Sequence, residues 1–159
     1  MSNKAIGKME IKELNEVKLV GFRVFCEGDQ YQEEIPQAAA LLKNRVSEIK
    51  NILNDGRQVG AFIVDAPSDD LDGYWVCVQV SEYGDIPDDM VTLTVPPQKY
   101  ATIMHNGANH FIMNSYEKLH HWIADNHFRR ADQSWNLEFY QRIVNTPEDV
   151  LVELYDSIY

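Results

Sequence analysis

The chain has 159 residues and a formal net charge of −11. A 45% hydrophobic and 25% charged composition is that of an ordinary globular protein, long enough for one compact domain with a sizeable core. The acidity argues against a nucleic-acid surface, which needs Lys and Arg against phosphates, and it favours a cationic ligand through the long-range field.

Residues 1–8 are polar and read as a loose arm with no apolar signal segment. No apolar run approaches the roughly 18 residues of a membrane helix, so the expected location is the cytoplasm. Met9 to Leu14 alternates as a short strand. Val17 to Cys26 follows as a stronger one, with Val20, Phe22, Val24 and Cys26 on one face. Ile35, Ala39, Leu42, Val46, Ile49 and Leu53 recur at helical spacing, which predicts a helix near 35–54. Pro36 would sit in its first turn, where a missing N–H costs nothing, and Gly56 would stop it. Gln58 to Val64 is a strand. Residues 65–73 form an acidic loop without the twelve-residue calcium pattern or its closing Glu, so no metal is expected there. Tyr74 to Glu82 is a strand with Tyr74, Val76, Val78 and Val80 on one face and Trp75, Cys77 and Gln79 on the other. Cys26 and Cys77 lie in apolar runs outside any CxxC, as buried small hydrophobes rather than a disulfide.

The second half replays this order. Met90 to Val95 is extended, Pro96-Pro97 interrupts it, and Tyr100 to His105 resumes it. Ile112, Tyr116, Leu119 and Ile123 form a second helical stripe over 112–126, with Asn114 as a candidate cap and Glu117 three residues on. Trp135 to Gln141 and Val150 to Tyr155 are the last strands. Each half reads strand, helix, strand, strand, and Lys18 and Lys99, in similar local settings, stand 81 residues apart. Two helices should therefore pack on a single antiparallel sheet.

Trp135, Leu137 and Phe139 share one face of their strand; Asn136, Glu138 and Tyr140 share the other. A carboxylate held between aromatic rings suits a cation, because water is scarce and the rings add cation–π attraction. Glu138, Tyr140, Trp75, Tyr100 and Tyr155 are the candidate ligand-binding residues, expected around one common cavity. Tyr155 is the least secure, because Glu153 shares its face and offers an alternative carboxylate.

Several pieces in order resemble the GyrI-like small-molecule-binding family, the effector-binding domain of AraC-type and multidrug-sensing regulators. They are Tyr74-Trp75-Val76-Cys77-Val78 after the acidic loop, Ile86-Pro87-Asp88-Asp89-Met90, Val95-Pro96 leading to Tyr100-Ala101, and His105-Asn106-Gly107. Tyr116 to Trp122 and Leu137-Glu138-Phe139-Tyr140 complete the set, which covers residues 9–156. The resemblance implies an α+β fold: duplicated βαββ units forming a curved antiparallel sheet with two helices and a central ligand cleft. It also implies that Glu138 faces cationic, often aromatic, ligands in that cleft. Members of the family include regulator domains, standalone binders, a gyrase inhibitor and hydrolases. Residues 1–159 would be one such domain, without room for a DNA-binding module.

The leading expectation is a standalone binder of amphipathic cations, with no direct nucleic-acid or membrane partner and no cofactor. One alternative is an acidic inhibitor of a DNA-binding enzyme, with Asp69, Asp70, Asp72, Asp85, Asp88 and Asp89 mimicking phosphates. Another is a hydrolase with Glu138 as general base. No residue is assigned as catalytic: Ser47 and Ser115 lack the glycines of a nucleophile elbow. His105, His110, His120, His121 and His127 read as surface or cap residues.

Overall fold

The computed structural model describes residues 7–141 and 150–159. The expected N-terminal arm lies outside them except for Gly7 and Lys8. The strands are β1 (Met9–Leu14), β2 (Val17–Val24), β3 (Gln58–Ile63), β4 (Tyr74–Val80), β5 (Val91–Val95), β6 (Gln98–Gly107), β7 (Trp135–Tyr140) and β8 (Val150–Ile158). The helices are α1 (Tyr31–Arg45) and α2 (Ile112–Asp125). All eight strands form one open antiparallel sheet in the order β1-β6-β8-β7-β3-β4-β2-β5.

This order carries the duplication. β2-β4-β3 in the first half matches β6-β8-β7 in the second, and the halves meet where β3 pairs with β7. The two edge strands are exchanged. β1, which precedes the first half, pairs with β6 of the second; β5, which precedes the second, pairs with β2 of the first.

Both helices lie on one face of the sheet. α1 covers Val20, Val24, Val76, Val78 and Val80; α2 covers Ala101, Ile103, Val152 and Leu154. The opposite face, here the open face, buries a third cluster from β2, β3, β4, β5, β6, β7 and β8, including Leu19, Ala61, Trp75, Val95, Tyr100, Leu137 and Tyr155. Among the described residues no helix belongs to that cluster, yet Tyr100, Ala61 and Leu137 are fully buried. Leu14, Leu93, Trp135 and Phe139, half-buried, pack against them. Strand alternation accounts for the split: Tyr74 and Trp75 go to opposite faces, as do Leu137 and Glu138.

The sequence stripe for α1 is displaced. The helix starts at Tyr31 and ends at Arg45, so Pro36 is its sixth residue and not in its first turn. Glu33 and Glu34 in the first turn and Lys43 and Arg45 in the last suit the helix dipole, which favours the earlier start. After a short 3-10 turn, Asn51 takes a positive φ of 63° and Ile52 bridges to Val80 of β4. Sheet contact replaces the last two helical turns that spacing suggested. α2 begins at Ile112, so Asn114 is inside its first turn and makes no capping bond. His127, with φ 65°, ends it in the left-handed conformation common after helix C-termini.

Cys26 and Cys77 are free, on opposite faces of the sheet. Burial pushes the Cys77 thiol up. No helix among the described residues is long and apolar enough to cross a membrane.

Candidate functional site

Glu138 lies on β7 beside the junction of the two halves, directly opposite Gly60 of β3. Its side chain is on the helix face and the residue is only 7% exposed. Two phenols hold the carboxylate. Tyr116, from the buried stripe of α2, donates to Oε2 at 2.6 Å, and Tyr74, from the start of β4, donates to Oε1. Among the described residues no Lys, Arg or His forms an ion pair with it.

The rings close round this carboxylate. Phe62 stacks on Tyr74 with centroids 5.9 Å apart and meets Tyr116 edge-on at 6.5 Å. Tyr140, half-buried, stands on the same strand face as Glu138 and packs with the α2 cluster. Gly60 makes the arrangement possible: a Cβ there would overlap the Tyr74 hydroxyl and ring. Gly60→Ala should therefore swing Tyr74 away from Glu138 and cost about 1–3 kcal/mol, as overpacked sites do. Chemical denaturation checks the stability, and the Tyr74→Phe variant serves as the comparison for the lost hydrogen bond alone.

Burial pushes the Glu138 carboxyl up; the hydrogen bonds from Tyr116 and Tyr74, and the nearby His105, offset part of this. Burial first, and then the Glu138 charge, hold both phenols well above the ordinary range. Tyr140 is raised for the same two reasons. The site is thus a dry carboxylate with neutral donors, surrounded by aromatic surface.

Of the five sequence candidates, Glu138 and Tyr140 share this place. Trp75, Tyr100 and Tyr155 do not: the sheet separates them from it, and they pack in the open-face cluster. Tyr100 meets Tyr155 at 5.5 Å, and Trp75 meets Trp135 at 5.1 Å. The expectation of one common cavity is corrected accordingly. Odd and even positions were assigned within each strand, but which faces coincide between strands depends on register. Tyr74 and Tyr116 are the residues missed. Tyr74 alternates with Val76, Val78 and Val80 and Tyr116 belongs to the α2 stripe, so both read as core.

Glu153, the alternative carboxylate, lies apart from Glu138 across the sheet. It is 3% exposed on the open face, 2.6 Å from Lys12, and accepts from Tyr155 at 3.1 Å. Burial, then the Glu153 charge, pushes the Tyr155 phenol up to about 12. A separate open-face cavity of about 210 Å³ lies between Ile63, Leu71, Val95, Gln98 and Trp135, away from Glu138.

The histidines divide. His105 is buried, not a surface residue, and bonds Ser115 at 2.7 Å. His120 Nε2 lies 2.9 Å from the buried Asp156 carboxylate, close enough for ion pairing but off the hydrogen-bond line; Arg130 lies 3.0 Å from the same oxygen. The His110 ring lies tilted against that of Phe111, with centroids 4.1 Å apart. In the acidic segments, Asp85 and Asp89 are paired with Lys50 and Arg45, and Arg23 holds the backbone carbonyls of Asp69 and Asp72. Among the described residues no cluster of His, Cys, Asp and Glu could hold a metal.

Solved structures share this architecture. The C-terminal domain of EcmrR superposes with a TM-score of 0.71 at 15% identity, covering 98% of this chain and 99% of that one. In an EcmrR–DNA complex the match has a TM-score of 0.73 at 13% identity and covers 96% of this chain, which spans only 57% of that protein. SAV2435 bound to tetraphenylphosphonium gives 0.65 at 20% identity over 96% of this chain and 94% of that one. The integron cassette protein Cass2 of Vibrio cholerae gives 0.58 at 17% identity, covering 96% of each. At such identities these likenesses concern the fold. No curated protein sequence matches the chain. The profile of one family, described as integron-associated effector binding protein, matches residues 10–158, from the second residue of β1 to the end of β8. With the whole duplicated sheet inside that match, the chain belongs to the integron-associated effector binding protein family.

Proposed function

We propose that residues 1–159 act as one effector-binding domain for amphipathic cations with aromatic surface, and that Glu138 is the countercharge. The observation that carries this reading is the buried Glu138 carboxylate, which has phenol donors but no ion-pair partner among the described residues. A cation supplies the missing charge where water does not, and Tyr74, Tyr116, Tyr140 and Phe62 supply ring surface with cation–π attraction. Stacking tolerates varied shapes, so charge is the common requirement of such ligands. SAV2435, a fold relative, binds tetraphenylphosphonium, which has this chemistry.

The test is a thermal-shift comparison of tetraphenylphosphonium with tetraphenylborate, which has nearly the same shape and the opposite charge. The cation should raise the midpoint with concentration, by mass action on the native state, and the anion should not. Equal shifts, or none with the cation, overturn the proposal.

pH gives an independent check. Because the Glu138 pKa is raised by burial, the carboxyl begins to protonate above the ordinary carboxylate range as pH falls. Cation affinity should weaken through that window. For the empty protein the sign is opposite: a raised carboxyl contributes stability that is present at low pH and lost as pH rises through its folded value. Wild type and Glu138→Gln, melted side by side across pH, isolate this contribution from that of the other carboxylates.

A further inference from the structure

We propose that His105 and Ser115 form an acyl-transfer dyad acting on small carboxylic esters that carry a cationic amphipathic group. The substrate class rests on the Glu138 reading above; the dyad itself does not.

His105 lies near the end of β6 and is 5% exposed, so its ring is fixed by packing. Its Nε2 is 3.1 Å from the carbonyl oxygen of Ala108. A carbonyl only accepts, so Nε2 carries a proton, and in the neutral ring Nδ1 is then a bare lone pair. Ser115 Oγ, 2.7 Å from Nδ1, then donates its proton to it. A hydroxyl donating to a neutral imidazole, itself oriented by a third group, is the arrangement of an activated nucleophile. Here a backbone carbonyl orients the ring in place of a carboxylate. Ser115 is half-buried in the first turn of α2, within reach of solvent. The next residue, Tyr116, holds Glu138, and His105 and Tyr140 flank Val152 of β8 in register, on the same face as Glu138. Nucleophile, base and countercharge therefore meet on one side of the sheet.

The chemistry balances without a cofactor. Ser115 Oγ bonds to the ester carbonyl carbon as its proton passes to His105 Nδ1. The bond from that carbon to the alcohol oxygen breaks, and the alcohol leaves with the proton from Nδ1. Water then adds to the acyl carbon and gives a proton to Nδ1. Ser115 Oγ departs, takes that proton back, and the acid is released.

The test uses the full chain with a neutral fluorophosphonate, read by intact mass and peptide mapping. One adduct on Ser115 is expected, absent in Ser115→Ala and formed at least about 100-fold more slowly in His105→Gln, the usual scale for a positioned base. Ser115→Ala should fold, because Ala favours a helix and the site is half-buried; if His105→Gln does not, Ser115→Ala alone decides. Acetylcholine should turn over faster than its neutral isostere 3,3-dimethylbutyl acetate, and Ser115→Ala should lose both activities. No adduct at Ser115, or equal turnover in Ser115→Ala, overturns the dyad. An adduct without preference for the cationic ester overturns the substrate class. Labelling of Ser115 without tetraphenylphosphonium binding leaves the dyad standing and removes the proposed effector; binding without labelling does the reverse.

Discussion

Glu138→Gln should weaken tetraphenylphosphonium binding by roughly 5- to 150-fold, on the order of 1–3 kcal/mol, as expected for a charge-assisted contact. Gln keeps the size of the side chain and can still accept from one phenol, so the packing around it survives. What it removes is the negative charge in a site where Tyr74 and Tyr116 are the donors. A neutral ligand such as triphenylphosphine oxide should lose little. The empty variant should be at least as stable as wild type at neutral pH, because a buried charge without a cation has been deleted. Glu153→Gln is the control. Glu153 is already paired with Lys12 on the other face of the sheet. Losing it should cost stability and leave cation affinity unchanged. Isothermal titration of the three proteins with both ligands checks this; equal losses for the cation and the neutral ligand would show that Glu138 does not select charge.

Gly21→Ala should be the most damaging small substitution. β2 lies between β4 and β5, and Gly21 is in register with Cys77 on one side and Val91 on the other. A Cβ at Gly21 would overlap the Val76 carbonyl oxygen and stand 2.7 Å from the Cys77 Cα. These are backbone atoms of a central strand, so no side-chain rotation relieves the clash. The Tyr74 ring over Gly60 can at least swing away. The expected cost is about 3 kcal/mol or more, at the upper end of overpacking effects. For a chain of this size that lowers the melting midpoint by roughly 6–12 °C. Thermal and urea unfolding measure it, and a midpoint within 2 °C of wild type, roughly 1 kcal/mol or less, would contradict the close approach of β2 and β4.

Much of the fold was legible because side-chain period survives in single strands. Val20, Phe22, Val24 and Cys26 do share a face, and Ile112, Tyr116, Leu119 and Ile123 do form the inner stripe of α2. The repeated element order implied one antiparallel sheet, and that is the sheet observed. The end of α1 was hidden because Ile49 and Leu53 keep helical spacing by chance, while Ile52 is drawn to Val80. The site was half legible. Glu138 was visible as a carboxylate alternating with aromatics. Its partners were not, because Tyr74 and Tyr116 have the spacing of core residues and their hydroxyls matter only once β7, β4 and α2 converge. Gly60 was a faint signal: a glycine in mid-strand marks the close approach of something, but not what approaches. The His105–Ser115 bond joins a strand to a helix and has no sequence signature.

The exchanged edge strands bear on how such a chain can arise and assemble. Met9 pairs with Ile103, and Val17 pairs with Val95, so each half is finished by a strand borrowed from the other. A half-length polypeptide would carry one unpaired strand and lack the one it needs. Two copies would satisfy both by trading, the reciprocal geometry of an intertwined twofold dimer. The present sheet has the connectivity such a dimer would have with its two chains joined end to end. In a single chain the two central strands need not be identical, as they would be in such a dimer: β3 has a glycine where β7, directly opposite, places an acid.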